Sequence, residues 1–414
     1  MNQRVVEDVW RREAPYVLAA LLRRHGDLGD CEDAAQEAAE AATAQWGTDG
    51  LPANPRGWLI TVAARRLIDR VRADQARSGR EAAVAVARPA DSGLAPPADQ
   101  VVPDDGDDTL RLFLLCCHPS LSRSSQVALT LHAVGGLSAA QIAAAYLVPE
   151  RTMTQRLTRA RATLRAAGAR FALPDADALP ARIAAVLDVC HLLFVAGHTR
   201  SAGGALVDRD LSEEAIRLTR ALAAAIPDHD EIAGALALML LTHARSATRM
   251  RGGDLVPLAE QDRTRWDRQA IEEGVAILER VLPRGHVGRF QVQAAIAAVH
   301  AEATTWGATD WAQIRVLYDM LDRIAPSPIV TLNRAVAVGM ADGPAAGLAM
   351  VTPLLDDPVM ARHHRTYAVR AHLLELTGAI DDALENYRRA ARLTAGVPEQ
   401  RYLNDRAERL ERGR

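Results

Sequence analysis

An all-α chain is what the sequence predicts, and three observations carry that prediction. Almost half of the 414 residues are apolar while only 4% are aromatic. Alanine runs such as Ala221 to Ala225 recur, and the alternating β-branched pattern of strands is missing. A chain of this length exceeds one ordinary domain, so several helical domains are expected, each able to bury its own core.

From Val5 to about Asp74 the apolar spacing is helical, interrupted near Gly26 to Gly29 and again across Gly47 to Pro55, so three or four helices fit this span. The following stretch holds Ser78-Gly79, Pro89, Pro96-Pro97, Pro103 and the acidic cluster Asp104, Asp105, Asp107 and Asp108, a composition that reads as a flexible linker. Helical spacing resumes at Leu110 and lasts to about Arg170, after which Pro174 and Pro180 bracket a shorter linker. The predicted organisation is a helical domain over 1–75, a linker over 76–108, a compact domain over 109–171, a linker over 172–181 and a helical-repeat domain over 182–414.

Repeat-like spacing is clearest from Tyr367 to Ala390. There Tyr367, Ala371, Leu374, Gly378, Ala383, Tyr387 and Ala390 fall where a tetratricopeptide helix pair places its large, small and turn residues. Further pairs are predicted at 290–305 with 310–325 and at 328–340 with 343–355, which makes the C-terminal domain an α-solenoid.

Composition also excludes chemistry. Every basic residue is Arg, with no Lys anywhere, so a Walker A loop, a kinase strand Lys and Schiff-base catalysis are ruled out. HExxH, GxSxG and GxGxxG motifs are missing as well, and no catalytic residue or cofactor is expected. No apolar stretch is read as approaching the roughly 20 residues of a membrane span. The N-terminal segment is charged and four Cys form no disulfide framework, so a cytoplasmic setting without membrane contact is expected. Cys116, Cys117 and His118 sit together but lack a second ligand pair, which favours packing over a metal site, and no metal is expected. His191, His198, His363 and His364 are read as core or surface histidines. Trp266, after the charged run EQDRTR, fits either a recognition surface or a helix start capped by Asp262 or Thr264.

Three constellations carry function. In GDCEDAAQEAAEA (Gly29 to Ala41), Asp33, Gln36, Glu37 and Glu40 share one helix face while Ala34, Ala35, Ala38 and Ala42 supply the packing face. Such a stripe is ordinarily a solvated face. In NPRGWLITVAARRLIDRVRADQAR (Asn54 to Arg77), Leu59, Val62, Ala63, Leu67 and Val71 have core spacing. Arg65, Arg66 and Arg72 lean outward near Trp58, a modest signal for single-stranded nucleic acid.

The third, GGLSAAQIAAAYLVPERTMTQRLTRARATLR (Gly135 to Arg165), has helix-turn-helix spacing. Ser138 caps a short helix with Ile142 and Tyr146 inward, Leu147-Val148-Pro149 turns the chain, and Glu150 opens a second helix with Met153, Leu157, Ala160 and Leu164 as its buried stripe. Six Arg lie between Arg151 and Arg170, a local basic footprint hidden by a net charge of −3. Arg and Gln near the start of this helix can reach base edges, and later Arg the backbone.

These segments resemble, in order and spacing, the sigma-70 family of bacterial transcription initiation factors. DCEDAAQEA looks like the polymerase-clamp segment, NPRGWLITVAARRLIDRVR like the −10 melting and reading segment, and the third block like the −35-reading helix-turn-helix. Two small domains joined by a linker mark the extracytoplasmic-function (ECF) class. RLFLLCCHPSL, LALMLLTHARSATR, EQDRTRWDRQAI, DWAQIRVLYDMLDRIAPSPIVTLNRAVAV and DGPAAGLA resemble the subgroup with a tetratricopeptide-like C-terminal extension. FVAGH at Phe194 to His198 departs from the FNEGY-like form of that subgroup, and no role is carried over to those positions.

The resemblance implies sigma region 2 over 1–75, region 4 over 109–171, and core RNA polymerase and promoter DNA as partners. Asp33, Gln36 and Glu37 would contact polymerase. Asn54, Trp58, Arg65, Arg66, Asp69 and Arg72 would serve the −10 element, with the loop from Gly47 to Asn54 holding an extruded base. Ser138, Arg151, Thr152, Thr154, Gln155, Arg156 and Arg159 would serve the −35 element. The extension would regulate or support this activity, with a protein or peptide partner for its groove and no catalysis. A helix-turn-helix regulator with a sensing repeat domain, acting without polymerase, is the alternative, and a pure scaffold is a third.

Overall fold

Turn glycines and capping side chains set where the helices begin and end. The computed structural model describes residues 3–81, 106–146, 148–200 and 211–413. Most of the linker expected over 76–108, and Leu147 of the helix-turn-helix turn, lie outside the described residues. Contacts divide the chain into two units, residues 1–192 with 224–226 and residues 193–223 with 227–414.

In the first unit, α1 (Gln3–His25), α2 (Leu28–Asp49) and α3 (Pro55–Glu81) pack on one another. Asp27 caps α2 by accepting the Asp30 amide at 3.1 Å, and Gly50, at φ 84°, ends it. Gly47 to Asp49 are therefore helical, and the break expected at Gly47 comes three residues later, where a glycine can adopt positive φ without strain. Ala34, Ala35, Ala38 and Ala42 are buried. Leu59, Ala63 and Leu67 of α3 are buried too, whereas Val71 is 37% exposed and is not a core residue.

Next come α4 (Gly106–Cys116), α5 (Arg123–Ala133), α6 (Ala139–Tyr146) and α7 (Glu150–Ala166). Asp108, expected in the acidic linker, lies in α4, is 1% exposed and is paired with Arg23 of α1 and, at 3.1 Å, with Arg111. Cationic partners three residues and one helix away explain its burial. Ser122 caps α5, and Ser138 forms a reciprocal capping box with Gln141 at the start of α6. Cys116 and Cys117 are fully buried, with burial pushing the Cys117 thiol up to about 11, so both pack as small apolar groups.

One sequence expectation needs correction. Helix α8 (Leu179–Arg200) contains a stretch, Leu179–His198, long and apolar enough by composition to cross a membrane. Arg182 and Asp188 interrupt the run, which is why it reads as shorter. Here Arg182 donates to the Leu114 carbonyl, Asp188 pairs with Arg123 at 3.0 Å, and Ile183, Val186, Leu187 and Val189 are buried. The helix is thus packed on protein along its first half, within the first unit, and the domain start expected at 182 falls inside it.

The second unit holds most of α9 (Leu211–Ala225) and then α10 (Asp230–His243), α11 (Arg268–Val281), α12 (Arg289–Glu302), α13 (Trp311–Ile324), α14 (Pro328–Ala341), α15 (Pro344–Val351), α16 (His364–Leu376), α17 (Ile380–Leu393) and α18 (Val397–Arg412), and from α10 onward each helix packs on the next. The helix pairs expected at 290–305 with 310–325, 328–340 with 343–355, and within 367–390 are α12–α13, α14–α15 and α16–α17. The strands among the described residues are a two-residue hairpin, Met250–Arg251 with Asp254–Leu255. Asp267, Asp310 and Ser327 cap α11, α13 and α14. In DGPAAGLA, Gly343 turns at φ 107° and Pro344 opens α15. A Cβ on Gly347 would sit 2.6 Å from the Ala335 carbonyl, so this glycine permits the α14–α15 crossing. Tyr367, Ala371, Leu384, Tyr387, Ala390, Leu403 and Ala407 form the core of the last three helices.

Candidate functional site

On α2 the alanine face points into the first unit, so Asp33, Gln36 and Glu40 are exposed and Glu37 is half-buried, the predicted stripe. The carboxylates are not solitary. Arg70 of α3 donates to Asp33 at 2.8 Å and to Glu37, and Arg66 stands 3.8 Å from Glu37. Burial works against the charge on Arg70, but its bonds to Glu37 and Asp33 outweigh it and raise its pKa. The face is therefore a polar, charge-compensated ridge shared by α2 and α3, suited to specific docking more than to bulk attraction.

Helix α3 presents Arg65, Arg66, Asp69 and Arg72 to solvent. Asn54 is exposed but occupied as the cap of α3, its side-chain oxygen accepting the Gly57 amide at 2.9 Å. Trp58 is half-buried, edge-on to the buried Trp46 with ring centroids 5.2 Å apart. It braces the α2–α3 corner while keeping a solvent edge. Sequence reasoning passed over Glu13, Tyr16 and Arg56. Arg56 pairs with Glu13 at 2.7 Å and stacks 3.8 Å over the Tyr16 ring, fixing the start of α3 to α1. Their separation of about forty residues left no local signal.

The helix-turn-helix is formed by α6 and α7. Met153, Leu157, Ala160 and Leu164 are all buried, which turns Arg151, Thr152, Thr154, Gln155 and Arg159 outward, with Arg156 half-buried beside them. Ser138 is engaged in the α6 capping box, so its hydroxyl positions that helix. Tyr146 is half-buried rather than fully inward. The exposed start of α7 thus offers several guanidinium and amide donors on one face, the arrangement by which a recognition helix reads base edges.

The later arginines of α7, expected to reach the DNA backbone, are paired within the protein in this structure. Arg161 donates to Glu32 of α2 at 2.5 Å and approaches His132 Nε2 at 3.2 Å. Arg165 forms two hydrogen bonds to Asp27, at 2.6 and 2.9 Å. Burial pulls Asp27 up, but the Asp30 amide and Arg165 outweigh it and hold its carboxyl below the usual aspartate value. Trp10 of α1 donates to the Gly136 carbonyl at 3.1 Å, where a Cβ on Gly136 would lie 3.1 Å from Ala14 Cβ. The α5–α6 turn and α7 are therefore clasped against α1 and α2. Glu32, unassigned by the sequence reading because its neighbours Asp33 and Glu37 formed the obvious stripe, is the buried anion of this clasp.

Comparisons with known proteins match several parts of the chain. The profile described as sigma-70 region 2 matches residues 9–77, and that described as sigma-70, region 4 matches residues 113–164. A family of unknown function (DUF6596) matches residues 182–282. An uncharacterized protein of Rhizobium meliloti, R00370, is 40% identical over 404 residues, covering 96% of this chain and 93% of that one. A protein of Mycobacterium tuberculosis named a probable ECF RNA polymerase sigma factor, SigI, is 32% identical over 159 residues, 38% of this chain and 53% of its own. A crystal structure of the P58(IPK) TPR domain aligns over 92% of this chain and 98% of its own at 14% identity with a TM-score of 0.26, too low to define a shared fold.

Proposed function

Because this chain belongs to the sigma-70 family of RNA polymerase sigma factors, in its ECF branch with a C-terminal extension, we propose a residue-level division of that work. The ridge of Asp33, Gln36 and Glu37 docks on core RNA polymerase. The exposed face of α3, with Arg65, Arg66, Asp69 and Arg72, serves the −10 element, where Asn54 and Trp58 hold the start of the helix in place. The start of α7, through Arg151, Thr152, Thr154, Gln155, Arg156 and Arg159, enters the major groove at −35, and Ser138 sets the angle of the supporting helix. The observation that carries this reading is the one-sided α7, apolar inward and basic outward, within the same unit as the α2–α3 ridge.

Sigma factors are initiation factors that act by binding rather than by turnover, and the absence of Lys in this chain fits that role. The clasp adds a condition. One turn of DNA already spans about 34 Å, whereas α2 and α7 are joined here by ion pairs, so reading two promoter elements at once requires α7 to leave α2. We take the clasped form as the resting state, opened when polymerase engages α2. The C-terminal unit regulates or supports the opened factor.

Run-off transcription with purified core polymerase tests the reading. Promoter-dependent transcripts and co-purification with core enzyme are expected. A protein that binds promoter DNA but never associates with core polymerase would instead be a helix-turn-helix regulator.

A further inference from the structure

The second unit contains an open-mouthed cavity of ≈ 510 Å³, within the range of about 300–1,000 Å³ usual for small-molecule sites. Its walls are the inward faces of α10, α12, α13 and α14, with Leu241, Ile296 and Leu321 as apolar lining and Trp266 beside them. The charge pattern is one-sided. Arg245 and Arg365 both line the cavity, and among the described residues no Asp or Glu does.

The two arginines differ in setting. Arg365 is exposed and hydrogen-bonded to Asn333 Oδ1 at 3.3 Å. Arg245 is half-buried, and no carboxylate pairs with it among the described residues. Burial, then the neighbouring Arg249, pulls its pKa down to about 10, which still leaves it charged at neutral pH. Burial, then Arg245 and Arg263, holds His300 at about 4, and burial raises Tyr318 to about 12. Both are therefore neutral near pH 7 and offer hydrogen-bonding groups without adding charge. Gln293 adds an amide.

A half-buried cation without a counter-charge carries a desolvation cost that a bound anion would offset. A guanidinium fork matches a carboxylate bidentately, and the apolar walls suit a body of a few carbons or one ring. We propose that this cavity is a binding site for a small organic carboxylate, its anion on Arg245 and its apolar part along Leu241, Ile296 and Trp266. The site goes beyond promoter reading and gives the C-terminal unit a ligand of defined chemistry.

The test titrates the full chain, without polymerase or DNA, with a panel of aromatic, branched and straight-chain carboxylates led by phenylacetate. Phenylacetamide serves as the neutral isostere and acetyl-Gly-Phe as a peptide carboxylate. Saturable binding of a carboxylate is expected, with its amide at least about tenfold weaker. Arg245→Met should abolish binding while raising the melting temperature of the empty protein, since it removes an uncompensated, half-buried charge. The exposed Arg365→Met, which carries no folding risk, should weaken binding severalfold. The proposal is overturned if no carboxylate binds at millimolar concentration, if amide and acid bind alike, if Arg245→Met lowers the melting temperature of the empty protein, or if the peptide binds more tightly than every free acid. None of these outcomes touches the promoter reading, which is measured separately by transcription.

Discussion

Replacing Arg161 by Ala should open the clasp. Glu32 has a side chain only 3% exposed, and Arg161 is 22% exposed. Glu32 Oε1 is already buried without a partner, so the carboxylate depends on the single bond from Arg161 to its other oxygen. Removing one partner of such a pair leaves an uncompensated charge at a cost of about 3–5 kcal/mol. That cost vanishes once α2 and α7 separate and water reaches Glu32. The closed-to-open ratio should fall by roughly two orders of magnitude or more, at 1.36 kcal/mol per decade. Arg165→Ala is the internal comparison. Its pair with Asp27 has side chains 66% and 28% exposed, so the loss is at most about 1 kcal/mol. Dyes at Thr48→Cys and Arg170→Cys, both exposed while the four native thiols are buried, would report the separation by energy transfer. Transfer efficiency should drop for Arg161→Ala, barely change for Arg165→Ala, and be partly restored in Arg161→Ala/Glu32→Gln, with helicity unchanged throughout. Equal transfer in Arg161→Ala and the parent protein across salt concentrations would refute the reasoning.

Gln155→Ala or Arg156→Ala should change which −35 sequence is used, with a penalty of about 1–3 kcal/mol at the matched base pair; transcription from a set of −35 variants checks this, and a uniform loss would mean phosphate contact only. Asp33→Arg should weaken core-polymerase binding, and adding Arg70→Glu should restore the α2–α3 ion pair without restoring that binding; quantitative pull-down separates docking from folding. The second unit should lose stability as pH falls from 6.5 toward 4, because His300 is held at about 4 and the unfolded chain binds the proton first. The loss is on the order of 3 kcal/mol, and urea melts of His300→Gln should show it flattened. Ending the chain before His364 removes α16 to α18 and bares Leu332, Val351 and Leu354, so limited proteolysis should cut the remainder rapidly, whereas ending it at Leu192 should leave a soluble first unit.

Much of the helical plan is local and so was legible. Apolar spacing placed Met153, Leu157, Ala160 and Leu164 inward, and Gly-Pro punctuation located α12 to α17 to within a few residues. The exposed face of α7 and the outward stripe on α2 followed from the same periodicity. What periodicity cannot convey is which exposed groups meet across the fold. Asp108 looked like one more linker acid, yet it meets Arg23 from 85 residues away. Arg161 and Arg165 looked like two more members of a basic footprint, yet they meet Glu32 and Asp27 across 129 and 138 residues. Arg245 gave no sign at all, since one arginine among 49 basic residues becomes notable only when the cavity around it holds no acid among the described residues.

The pairing of α2 with α7 also bears on how the two proposed promoter readers would be coordinated. Phosphates on DNA and carboxylates on α2 are alternative partners for the same guanidinium groups. In the clasped form Arg161 and Arg165, two of the six arginines between Arg151 and Arg170, are already neutralised. The closed protein therefore approaches duplex DNA with a smaller basic face than its sequence suggests, and each arginine withheld removes one counterion-releasing contact. Asp27 at the N-cap of α2 and Glu32 within it lie just before the stripe of Asp33, Gln36 and Glu37. A partner that engages α2 acts on the helix that holds α7, and one that favours the open form raises the affinity of α7 for DNA by linkage, without touching it. By the same reciprocity, a −35 element bound to α7 favours an uncovered α2. If α2 docks polymerase and α7 reads the −35 element as proposed, the two events are coupled through the buried Glu32.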